Sequence, residues 1–91
     1  MTDENPLEMV GATRIMVSLW KNEKTFSEIL MDARIIPSTL SRQLKKLQKL
    51  DIIGKKEFKE KHIYYLTENG KKLFPYLKEI YVILKKLKME I

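Results

Sequence analysis

The 91-residue chain contains no cysteine. That absence excludes disulfides, thiolate zinc sites and thiol redox sensing together, and it fits a reducing cytosol. A single histidine, His62, has no second histidine with which to complete a metal site. The three glycines are scattered, so no glycine-rich loop can cradle a phosphate. No nucleophile has a plausible base beside it, and the carboxylates lie among lysines in the manner of solvated ion pairs. The sequence therefore gives no catalytic, metal or cofactor-binding residue, and His62 is expected at the surface or facing a phosphate. Long apolar runs are missing too. The longest, Tyr81-Val82-Ile83-Leu84, is far too short to span a bilayer. The first residues, Met1-Thr2-Asp3-Glu4-Asn5, are acidic, the reverse of a signal peptide. A soluble, cytoplasmic protein without a membrane partner is expected.

An apolar share of 44% suffices for a packed globule, and the length suits one domain over residues 1–91. The net charge of +6 favours a polyanionic partner. The distribution of that charge is most telling between Ile36 and Leu50. At 100° per residue, Ile36, Leu40, Leu44, Leu47 and Leu50 fall on one side of a helix, an ordinary core stripe. Ser38, Arg42, Lys45 and Lys49 fall on the other, flanked by Ser41 and Lys46. No acid interrupts that outer face. A generic solvated face mixes both signs, whereas a helix entering a DNA groove avoids carboxylates because every phosphate repels them. Short polar side chains and spare backbone N–H groups in the first turn can approach phosphates and base edges closely.

The remaining segments arrange themselves around this helix. Asn5-Pro6-Leu7-Glu8 reads as a helix start, and Ala12, Ile15, Met16, Leu19 and Trp20 then form a core stripe ending near Lys21. Gly11 is its weak point. Lys24-Thr25-Phe26 is a short extended piece, and Ser27 is expected to cap a second, brief helix, with Phe26 and Met31 forming a hydrophobic staple. Ile29, Leu30 and Ala33 supply its buried side. The short helix, the tight turn and the longer helix after it make a helix-turn-helix. Lys55–Phe58 and His62–Leu66 read as a hairpin whose tip, lacking Asn-Gly, is expected to be mobile. Lys55, Lys56, Lys59 and Lys61 outnumber Glu57 and Glu60, leaving a basic ribbon. Thr67 caps the last helix, over residues 67–91, with Pro75 expected to kink it. Leu73, Leu77, Ile80, Leu84, Leu87 and Ile91 repeat there as a heptad seam, widened by Phe74 and Tyr81. A partner helix would cover that seam, which points to a homodimer held by Leu73, Leu77, Ile80, Tyr81, Leu84 and Leu87.

The order α1-β1-α2-α3-β2-β3-α4, an α+β and mostly helical class with a long C-terminal dimerisation helix, is that of a winged helix-turn-helix domain. Thr39-Leu40-Ser41-Arg42-Gln43-Leu44-Lys45-Lys46-Leu47 followed by Ile52-Ile53 resembles the recognition helix of that superfamily. Tyr64-Tyr65-Leu66-Thr67-Glu68-Asn69-Gly70-Lys71-Lys72-Leu73 resembles the end of its wing and the start of its last helix. Leu73-Phe74-Pro75 and Phe26-Ser27-Glu28-Ile29 are similar to HxlR and MarR-type transcriptional regulators. The resemblance implies a dimeric, sequence-specific regulator of double-stranded DNA. Ser38, Thr39, Ser41, Arg42 and Lys45 would enter the major groove, with Lys46 and Lys49 beside them and the wing lysines Lys56, Lys59 and Lys61 on the flanking backbone. Relatives that sense oxidants use cysteine and those that sense metals use cysteine and histidine clusters, so no effector site is supported here. Two other readings stay open: a winged-helix protein–protein module of a transcription or replication assembly, and a nucleoid-associated architectural protein that coats DNA with little sequence preference.

Overall fold

A computed structural model describes residues 6–87, as four helices and one three-stranded sheet. α1 (Pro6–Lys21) leads through β1 (Lys24–Thr25) into α2 (Phe26–Ala33) and α3 (Pro37–Lys49). β2 (Ile53–Phe58) and β3 (Lys61–Leu66) form the wing, and α4 (Glu68–Lys86) closes the chain. The sheet is antiparallel in the order β1-β3-β2. This is the winged helix-turn-helix arrangement, mostly helical, that the sequence pattern predicts. The proposed cap at Asn5 and the seam position Ile91 lie outside the described residues, as does the side chain of Leu84.

The core gathers one stripe from every helix: Ile15, Met16 and Leu19 of α1, Ile29 and Ala33 of α2, Leu40, Leu44 and Leu47 of α3, and Phe74 of α4. Ile52, Ile53 and Leu66 seal it from the sheet side. Burial of each such side chain contributes roughly 1.5–3 kcal/mol relative to leaving it in water, which is why the stripes dictate how the helices pack.

Four details depart from the sequence reading. Thr25, not Ser27, caps α2. Its hydroxyl accepts from the Glu28 N–H at 3.2 Å, while the Glu28 carboxylate accepts from the Thr25 N–H at 2.9 Å, a complete capping box. Pairing of Thr25 with Ile63 holds the residue extended, the backbone conformation a cap requires. Helix α2 therefore starts at Phe26, two residues too early for a Phe26–Met31 staple, and Met31 is exposed. Trp20 is 52% exposed rather than core. Its indole stacks on Phe74, with centroids 4.6 Å apart and planes 12° from parallel. Ile36 and Leu50, the two ends of the expected stripe on α3, are 64% and 61% exposed. Both are cap residues outside the helix, so the helical projection does not carry to them. Gln43 is buried beside Leu44 instead.

The fourth departure is the wing tip. The hairpin closes through a two-residue turn, Lys59-Glu60, directly after the Phe58–Lys61 pair. Both residues have positive φ, 52° and 64°, as a type I′ turn demands, although neither is glycine or asparagine. The right-handed twist of the paired strands imposes the turn against a local cost of about 1–2 kcal/mol per residue.

The junction between α3 and α4 fixes the wing's position. Asp51 ends α3 with φ 61°, its N–H bonding to the Gln48 carbonyl and the Ile52 N–H to the Leu47 carbonyl, a Schellman motif. Asn69 donates to the Asp51 carboxylate at 2.9 Å. The Thr67 hydroxyl donates to the Asp51 carbonyl at 2.6 Å and accepts from the Gly70 N–H at 3.1 Å, capping α4 as expected. Gly70 is needed at this point: a Cβ there would lie 2.2 Å from the Ile52 carbonyl oxygen. Helix α4 then continues through Pro75 to Lys86 without interruption. No described helix is long and apolar enough to cross a membrane.

Candidate nucleic-acid interface

The core stripe of α3 decides what the opposite face presents. With Leu40, Leu44 and Leu47 turned inward, Ser38, Arg42, Lys45 and Lys49 are exposed and Thr39, Ser41 and Lys46 half-buried beside them. The first turn of α3 contains no acid and its last turn contains Lys46 and Lys49. Arg42 and Lys46 also make contacts within the fold.

Packing of α3 against β2 adds a residue that the helix alone does not contain. Lys45, Lys46, Gln48 and Lys49 share an open cleft of about 800 Å³ with Lys55 of the wing. Lys55 counted in the sequence only toward the charge of the ribbon. Its strand register, opposite Tyr64 on the core side of the hairpin, is what brings it to α3. Four ammonium groups facing one cleft, with no carboxylate on its walls, form a surface that attracts a polyanionic backbone.

The three expected wing lysines do not share that cleft. Lys56 pairs with Glu23 at 3.0 Å and lies over the Tyr65 ring at 5.7 Å, which ties the wing to the loop after α1. Both partners are half exposed, so the pair contributes little net stability. Lys59 sits over the Phe58 ring at 5.3 Å, at the tip of the hairpin. Lys61 and His62 line a shallow cleft with Thr25, Phe26 and Ser27 at the start of α2. The carboxyl of Glu28 is held below its ordinary value, chiefly by the Thr25 backbone N–H and more weakly by the charges of Lys24 and Lys61.

On α4 the seam divides. Leu73 and Leu77 pack against the core, and Ile80 and Tyr81 are half-buried. Beyond them Val82, Ile83 and Leu87 stand in solvent, Leu87 by 66%. Among the described residues no group of three or more histidines, aspartates and glutamates could hold a metal ion.

Comparison with known proteins places this arrangement. The HxlR-like helix-turn-helix family model matches residues 11–90. The transcriptional regulator YodB from B. subtilis, in its reduced form, is 29% identical and superimposes with a TM-score of 0.67, covering 79% of this chain and 74% of YodB. A MarR-family transcriptional regulator from Silicibacter pomeroyi gives a TM-score of 0.74 at 20% identity, over 89% of this chain and 57% of its own. Bordetella bronchiseptica BpsR, whose DNA binding is regulated by 6-hydroxynicotinic acid, gives 0.76 at 12% identity, over 84% of this chain and 57% of its own. The chain thus spans little more than half of these last two proteins, and at such identities they share its fold alone. No curated protein sequence matches it.

Proposed function

Because the chain belongs to the HxlR-like helix-turn-helix family of transcriptional regulators, we propose that it binds double-stranded DNA sequence-specifically as a homodimer. One observation carries this reading: the acid-free outer face of α3 continues into a four-lysine cleft completed by the wing. In this reading the whole chain is one DNA-binding unit working in the cytoplasm at the nucleoid. Ser38, Thr39, Ser41 and Arg42 face base edges, Lys45, Lys46, Lys49 and Lys55 meet the near backbone, and Lys56, Lys59 and Lys61 follow the flanking backbone. Arg42 is the only arginine of α3. Its planar fork can hold guanine O6 and N7 together, whereas lysines act as point charges on phosphate. The exposed apolar end of α4 supports the homodimer, because two copies of Val82, Ile83 and Leu87 would cover one another across a two-fold axis. The chain has no cysteine, so thiol-based sensing forms no part of the proposal.

Selection of bound fragments from genomic DNA, followed by competition with unrelated duplex, tests the reading. A regulator retains a preferred site, and Arg42→Ala costs about 1–3 kcal/mol on that site and less on scrambled DNA. Equal affinity for all duplexes would leave an architectural coat, and no binding at moderate salt would leave a protein–protein module. Sedimentation adds the assembly: the unaltered chain should be dimeric at micromolar concentration and Leu87→Glu monomeric but folded. A monomeric unaltered chain overturns the homodimer.

A further inference from the structure

The start of α3 lacks the side-chain cap found at the starts of α2 and α4. Ile36 occupies the N-cap, with φ −71° and ψ 152°, and no side chain caps this helix. Ser, Thr, Asp and Asn are favoured at this position because their oxygen accepts from the first free N–H groups, and isoleucine ranks among the poorest. The chain uses the favoured chemistry at both other starts where the cap is described, Thr25 for α2 and Thr67 for α4. Ile36 does not make up the loss by packing, since its side chain is 64% exposed and it is followed by an exposed Pro37. Pro37 at N1 preorganises the start and removes one free N–H, but it leaves the isoleucine side chain in solvent with no role in the described fold.

The surroundings identify that partner. Ile36 and Pro37 form an apolar tip on a helix whose exposed face carries hydroxyls and cations and no acid. The N-terminal residues of a recognition helix are the ones that reach the floor of the major groove. The one apolar group displayed there by unmodified DNA is the 5-methyl of thymine. We propose that Ile36, supported by Pro37, is a specificity residue that reads a thymine methyl in each half-site. This rests on the reading of α3 as a DNA-recognition helix. It adds a direct contact made by dispersion and desolvation rather than by hydrogen bonding, complementary to the Arg42 fork.

Chemistry on the DNA side tests it without disturbing the protein. Once a preferred duplex has been selected, each thymine is replaced singly by deoxyuridine, which removes only the methyl. For the unaltered chain, loss of the methyl that Ile36 touches should weaken binding about fourfold, the equivalent of one buried methyl. Ile36→Ala should bind the thymine and uracil duplexes alike, while Arg42→Ala should keep the fourfold difference. A chain that selects a site but shows no uracil-sensitive position, or whose sensitivity survives Ile36→Ala, overturns the proposal. A chain that selects no site at all refutes the regulator reading itself, a distinguishable failure.

Discussion

The starts of α3 and α4 differ in almost every respect that governs a helix N-terminus. Helix α4 begins on Thr67, whose hydroxyl binds the Gly70 N–H and the Asp51 carbonyl, with Glu68 in the first turn to complement the helix dipole. Its first turn lies so close to Ile52 that only glycine fits at position 70. Helix α3 begins on an exposed isoleucine, without a side-chain cap and without an acid. One start is closed upon the protein and the other is left open toward solvent. The positive end of a helix dipole with no acid in its first turn favours an anion, and the wing's Lys55 and the lysines of α3 add positive charge along the same helix. A helix start satisfied internally positions the fold, and one left unsatisfied is available to a ligand.

The largest effect that would test this contrast is at the closed start. Gly70→Ala places a methyl against a backbone carbonyl that cannot swing aside, and should destabilise the fold by about 3 kcal/mol in urea denaturation. A loss within about 0.5 kcal/mol would mean that α4 can slide away from Ile52. Cap exchange comes next, and its sign should differ between the two starts. Thr67→Ala should cost about 1–2 kcal/mol, while Ile36→Ser, which supplies a missing cap, should raise stability by about 1 kcal/mol and weaken DNA binding. Loss of stability in Ile36→Ser would show that the open start is closed by packing after all. The smallest effect concerns the capping box of α2. Glu28 titrates below the ordinary carboxylate value because the Thr25 N–H favours its charged form. Its contribution is thus complete above the ordinary carboxylate value and is lost as pH falls through its lowered one. Glu28→Gln should remove that part of the acid-side loss of stability, seen as a smaller drop in Tm between neutral and acid pH. An unchanged drop would show that the box has no energetic role.

Much of this is legible in the sequence. Thr67 and Glu68 announced the start of α4, and the leucine spacing announced α3, because caps and helical stripes are consequences of backbone geometry within a few residues. The capping box of α2 was equally present in Thr25-Phe26-Ser27-Glu28, but two hydroxyl residues competed for the cap and only the pairing of Thr25 with Ile63 decides between them. The tip of the wing shows the converse. Lys59-Glu60 has no intrinsic preference for positive φ, and the strand register imposes it.

What the sequence determined by itself is the order of the elements, the inward stripe Leu40-Leu44-Leu47 and the single-signed face opposite it. These follow from a period of 3.6 residues and from the charge of each side chain, neither of which needs a neighbour. Tertiary structure alone decided where each stripe stops: it left Ile36 and Leu50 in solvent and Trp20 half exposed, packed Leu73 and Leu77 partly buried against the core and exposed Leu87. It also brought Lys55 across to the lysines of α3. Burial is a property of what packs opposite a residue, and register across a sheet joins residues that no local pattern connects.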